Sequence, residues 1–111
     1  MRYLMSFEPS ALDMTLSAAA GNDLALRAEL RQAFLVSARR QADLLRRSRC
    51  DANWQMAALR LRAIAASFHA DELVALATAA VTAAPGEPTV LRSLEAQVAL
   101  LERQRPLHSS Q

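Results

Sequence analysis

Arg60 and Arg62 bracket Leu61 within AALRLRAIAASF, residues 57–68, and they are the first side chains here that invite a chemical reading. A guanidinium presents a planar fork of N–H donors that matches a phosphate or a carboxylate. The alternative, charges that only keep a helix solvated, fits Arg60 best. Other candidates are few. An imidazole can serve as a nucleophile or a metal ligand. His69 and His108 are the two histidines, too far apart for a ligand pair at helical spacing. Cys50 is the only cysteine, which excludes an intramolecular disulfide and a structural zinc site built on thiolates. Neither a metal nor a cofactor is implied.

The run that carries the arginines reads as helix. Trp54, Ala57, Leu61, Ile64, Ala65 and Phe68 recur at the spacing of one buried face. At about 100° per residue, Leu59 points away from that stripe. Met56, Ala63 and Ala66 share its outer face, with Arg60 and Arg62 on the flanks. A leucine amid alanines on the wet side is a small contiguous apolar patch, and such patches lean toward contacts; a face with no role is the alternative. His69 lies ten residues beyond Leu59, about 15 Å along the axis and rotated by roughly 80°. That spacing assigns it to the helix end and a turn or capping role.

Around this helix the chain divides into four others. Pro9 and Ser10 start a first helix, about 9–19, with Ala11, Leu12 and Leu16 inward and Gly21 at its end. Asn22 or Asp23 caps a second, about 23–48. Its stripe is Leu26, Leu30, Phe34, Ser37 or Ala38, Gln41 or Ala42, and Leu45; Arg27, Arg31, Arg39, Arg40, Arg46 and Arg47 dress the rest. Asp51 is the expected cap of the third, about 52–68. Asp71 and Glu72 open a fourth, whose apolar face is Leu73, Leu76, Ala77, Ala80 and Val81, and Pro85, Gly86 and Pro88 break it. The fifth, about 88–104, carries Leu91, Leu94, Val98 and Leu101 and stops before Pro106. The expectation is an all-α domain over residues 1–111, an up-down-up-down four-helix bundle with an additional short N-terminal helix. Its core spans about 22–104, with 1–8 and 105–111 loosely ordered.

Composition agrees with helices. Hydrophobic residues make up 52% and aromatics 5%, so alanine and leucine must carry the core. The net charge of +2 is too small to argue for nucleic acid, and Glu29 and Asp43 interrupt the arginines of the second helix without interleaved aromatics. The N-terminus is not patterned as a secretory signal, and the charge-free stretch Leu73–Gly86 is too short to span a bilayer. A cytoplasmic protein that engages neither nucleic acid nor membrane is expected.

Residues 58–65, Ala-Leu-Arg-Leu-Arg-Ala-Ile-Ala, followed by Ala66-Ser67-Phe68-His69-Ala70-Asp71-Glu72-Leu73, resemble the histidine-containing phosphotransfer (Hpt) module of bacterial and plant phosphorelays. Members typically read A-H-x-L-K-G-x-A, then a short turn containing glycine. The likeness extends over about 24–102. Ala58, Leu61, Ala65, Phe68, Ala70 and Leu73 fit packing positions. Arg62 stands where the family has lysine, Ala63 where it has glycine, and His69 where the turn has glycine. Leu59 stands where the phosphorylatable histidine would be.

The resemblance implies a partner and withholds the chemistry. In the family this outer face docks the receiver domain of a response regulator or hybrid kinase, and the imidazole exchanges phosphate with an aspartate. An alkyl side chain has no lone pair with which to attack. Arg62 could still position and offset phosphoryl charge, but nothing would carry the group. The expected role is therefore a non-enzymatic, Hpt-like binder of receiver domains in two-component signal transduction, with Met56, Leu59, Arg60, Arg62, Ala63 and Ala66 as the contact surface. Two alternatives stand beside it. One is an active phosphotransferase using another histidine; the other is a structural or adaptor module that dimerises by burying Leu59 against its own copy.

Overall fold

The computed structural model describes residues 9–104, and every described element is an α-helix: α1 (Ala11–Ala20), α2 (Leu24–Arg47), α3 (Asp51–Ser67), α4 (Asp71–Thr82) and α5 (Pro88–Arg103). The expectations for residues 1–8, Pro106 and His108 lie outside the described residues.

Local chemistry sets the helix ends. A free helix N-terminus has unsatisfied N–H groups that a short polar side chain can accept from. Ser10 does this for α1: its Oγ accepts from the Asp13 N–H at 3.0 Å, and Asp13 Oδ2 accepts from the Ser10 N–H at 3.3 Å. The reciprocal pair is a capping box. Gly21, at φ +60°, turns the chain out of α1 in a conformation that side chains resist. Asp23, rather than Asn22, caps α2 by accepting from the Leu26 N–H at 3.0 Å. Asp51 does not cap α3. It is the first helical residue, and Cys50 takes the cap position without a side-chain bond. Acid in a first turn still complements the helix dipole, which is why Asp51 marks this start in the sequence. Pro88 opens α5, where its missing N–H costs nothing.

The helices pack mostly on their chain neighbours. α1 lies on α2, α2 on α3, α3 on α4 and α4 on α5, and α5 returns to α2. Between them lie Phe34, Ala38 and Leu45 of α2, Trp54, Ala58, Leu61 and Ala65 of α3, Leu73, Ala77 and Ala80 of α4, and Leu94 and Val98 of α5, all buried. Alanines at the α3–α4 contact let the backbones approach closely. Trp54 fills the space that they leave, and its Nε1–H donates to the Ala80 carbonyl at 2.7 Å. Phe68 is half-buried at the end of α3, with its ring centroid 4.9 Å from that of Phe34.

The inward stripes need three corrections. Ala11 and Leu26 are exposed, because each is rotated off the buried face of its helix, which Leu12 and Leu16 carry in α1 and Phe34, Ala38 and Leu45 in α2. Arg31 does not dress the surface of α2. It is 7% exposed and reaches across to the end of α5. One of its terminal nitrogens donates to the Leu101 carbonyl at 2.7 Å and to the Gln104 carbonyl at 3.1 Å. The last carbonyls of a helix have no partners of their own and carry its negative dipole end, so a guanidinium there is doubly suited.

Candidate functional site

α3 is amphipathic in an unequal way. Its inner face is fixed by Trp54, Ala57, Ala58, Leu61 and Ala65, all buried. A rigid helix then dictates what faces water. Met56 is 50% and Leu59 43% exposed, and Ala63, Ala66 and Arg60 are exposed beside them. Arg62 is half-buried. The six residues expected to form the contact surface therefore lie together on α3, with Leu59 in the middle. None of them carries a nucleophile, so none of these six side chains can accept a group by covalent attack.

Four other arginines, Arg27, Arg31, Arg39 and Arg46, are committed to structure. Arg39 of α2 is clamped between two glutamates of α5. It donates to Glu102 through Nε at 3.0 Å and a terminal nitrogen at 2.8 Å, and to Glu95 at 2.7 Å. The hydrogen bonds from Arg39 hold the Glu102 carboxyl below the usual glutamate range, and the same bonds push Arg39 further above its ordinary value. Arg46 pairs with Asp43 at 3.2 Å and reaches Glu95 at 3.5 Å. Arg27 donates to the Gly21 carbonyl at 2.9 Å and thereby braces the turn before α2. Among the described residues, Arg60 and Arg62 have no carboxylate within ion-pair distance.

His69 is remote from this face in role. It ends α3 with φ at +58°. The His69 N–H donates to the Ala66 carbonyl at 3.1 Å and the Ala70 N–H to the Ala65 carbonyl at 2.8 Å. These two bonds are the Schellman closure, whose left-handed residue is most often glycine. Its side chain lines a cleft with the start of α1, the end of α5, Asp71 and Glu72, away from Met56 and Leu59. A β-carbon in this conformation costs about 1–2 kcal/mol. Replacing His69 with glycine is expected to stabilise the protein by about 0.5–1 kcal/mol after the added freedom of the unfolded chain is counted. Thermal unfolding checks this, with a rise of several degrees for about 1 kcal/mol in a chain of this size. A fall would mean that the imidazole makes a contact that outweighs the strain.

Sequence reasoning missed one feature beside the patch. A cleft between the end of α2 and the start of α3 is lined by Leu44, Arg47, Ser48, Asn53, Met56, Ala57 and Arg60. Arg47 and Arg60 lie on different helices, so no single-helix periodicity connects them. The signal that was present is the short Ser48–Cys50 link, which folds α3 back along α2.

No group of three or more His, Cys, Asp or Glu residues among those described could hold a metal ion. No described helix is long and apolar enough to cross a membrane. Comparison of the chain with known protein families, characterised proteins and solved structures gives no match.

Proposed function

We propose that this chain is an Hpt-like four-helix bundle that docks receiver domains of two-component systems through the outer face of α3 and carries no phosphate itself. The observation that carries the reading is the exposure of Leu59 at the centre of a low apolar patch, flanked by Arg60 and Arg62. The closed circuit of neighbours from α2 to α5, with α1 laid on α2, suits the bundle arrangement. Small side chains at Ala63 and Ala66 leave room for a partner to approach the helix backbone.

Mechanistically the role is occupancy. A receiver domain seated on this face would be withheld from phosphotransfer partners, or held near one, according to what else binds it. Arg62 would offset negative charge at the receiver's phosphorylation site, and Leu59 would replace a covalent exchange with apolar contact.

The test is phosphotransfer from phosphorylated receiver domains of the source genome to the native chain and to Leu59→His, run side by side. The expected result is acid-labile label on Leu59→His and none on the native protein, with receiver binding by both. Label on the native chain that disappears with His69 or His108 would make it a working phosphotransferase through another histidine. Failure of both proteins to bind any receiver domain, in either phosphorylation state, would sink the reading.

A further inference from the structure

The geometry points to the cleft between α2 and α3 as a seat for an acidic side chain of a docked protein, held between Arg47 and Arg60 beside an apolar contact. This rests on the reading that the outer face of α3 docks a protein, and it specifies the chemistry of the partner's surface. Three other clefts hold carboxylates of their own: Asp43 and Glu102 in one, which Arg47 also borders, Asp71 and Glu72 in another, Asp51 in a third. The Arg47–Arg60 cleft holds none. Both arginines are exposed, and neither has a carboxylate within ion-pair distance among the described residues. The nearby acid Asp43 is already engaged by Arg46 at 3.2 Å.

The rest of the lining sorts by polarity. Ser48 donates its hydroxyl inward to the Leu44 carbonyl at 2.7 Å, so it offers a solvent-side ligand only lone pairs. Asn53, exposed in the first turn of α3, adds an amide donor. The floor is apolar, made by buried Ala57 and half-buried Leu44. Met56 belongs to this cleft and to the patch around Leu59, so the two surfaces are continuous. Two arginines and an apolar lining in one cleft complement a carboxylate next to an aliphatic side chain better than a bare phosphate chain. Such charges also speed encounter and select against basic partners.

The probe is a short acetylated peptide with several glutamates around one leucine, followed by NMR at the arginine Nε–H and methionine methyl signals. Its glutamine counterpart and a single-stranded thymidine oligonucleotide serve as comparisons. The acidic peptide is expected to shift Arg47, Arg60 and Met56, and the glutamine peptide to leave them in place. Arg47→Gln and Arg60→Gln should each weaken binding about tenfold, while Arg92→Gln on α5 should not. Both variants change exposed residues, and circular dichroism confirms that they fold. Equal shifts at Arg92, undiminished binding by either variant, or tighter binding of the oligonucleotide at the same residues would overturn the proposal. If the peptide occupies the cleft and no receiver domain binds the chain, the cleft stands and the receiver reading falls. If receiver domains bind while the peptide is silent and the two variants dock normally, the cleft alone falls.

Discussion

Trp54→Ala should remove about 3–5 kcal/mol of stability, the range for deleting a large buried aromatic. Trp54 has no exposed surface and is the largest buried side chain of the core. Alanines make up most of the other buried residues of α3 and α4, and they cannot extend into a void, so the cavity would persist. A domain of this size has about 5–15 kcal/mol in total, and the variant would sit near the edge of folding. Trp54→Phe separates packing from hydrogen bonding. The ring remains largely filled, while the donor to the Ala80 carbonyl is lost. That carbonyl still accepts from the Ala83 N–H at 3.1 Å, so the loss should be nearer 1–2 kcal/mol. Urea unfolding followed by far-ultraviolet circular dichroism measures both. A cost under about 1 kcal/mol for Trp54→Ala would mean that α3 and α4 close over the void, against the rigidity expected of well-packed interiors.

Arg31→Met should cost about 2–3 kcal/mol through a different cause. The methionine keeps much of the buried aliphatic stem. It leaves the Leu101 and Gln104 carbonyls without the charged donor that now meets them at 2.7 and 3.1 Å. Hydrogen bonds to charged groups contribute about 1.5–3 kcal/mol, and a buried carbonyl left bare adds its own desolvation cost. Arg31→Lys should fall between, because an ammonium offers point charge without the planar fork. Denaturant unfolding gives the size. Hydrogen exchange gives the place: protection should drop first in the last turn of α5. An unchanged last turn would show that Gln104 and its neighbours find other donors.

These two residues differ in how far the sequence betrays them. Trp54 falls on the apolar period of α3, and its burial follows from spacing alone. The same rigid periodicity made the exposure of Met56, Leu59, Ala63 and Ala66 legible, since a helix with one face fixed has no choice about the other. The helix boundaries were legible where the chemistry is local, at Ser10, Gly21, Asp23 and Pro88. Asp51 misled by one position because an acid favours the first turn as well as the cap. Arg31 was illegible for a physical reason. It sits on the shoulder of an apolar stripe like any surface arginine, and its partners lie about seventy residues away, at Leu101 and Gln104. The Arg47–Arg60 cleft was hidden in the same way, because it exists only once two helices are laid side by side. His69 was placed in its turn by spacing, but its positive φ belongs to the backbone closure and leaves no mark in residue type.

The order of packing has a consequence for how the chain assembles. Of the extensive helix contacts, α2 with α5 is the one that joins elements not consecutive in sequence. Each of the others closes a short loop, and short loops are found quickly. The α2–α5 seam, with Arg39 clamped by Glu95 and Glu102 and Arg31 seated on the end of α5, closes the longest loop and is expected to form after the intervening helices have collapsed. Contacts made that late act chiefly as a brake on unfolding rather than as an aid to folding. The charged fastenings of this protein are, in kinetic terms, its latch.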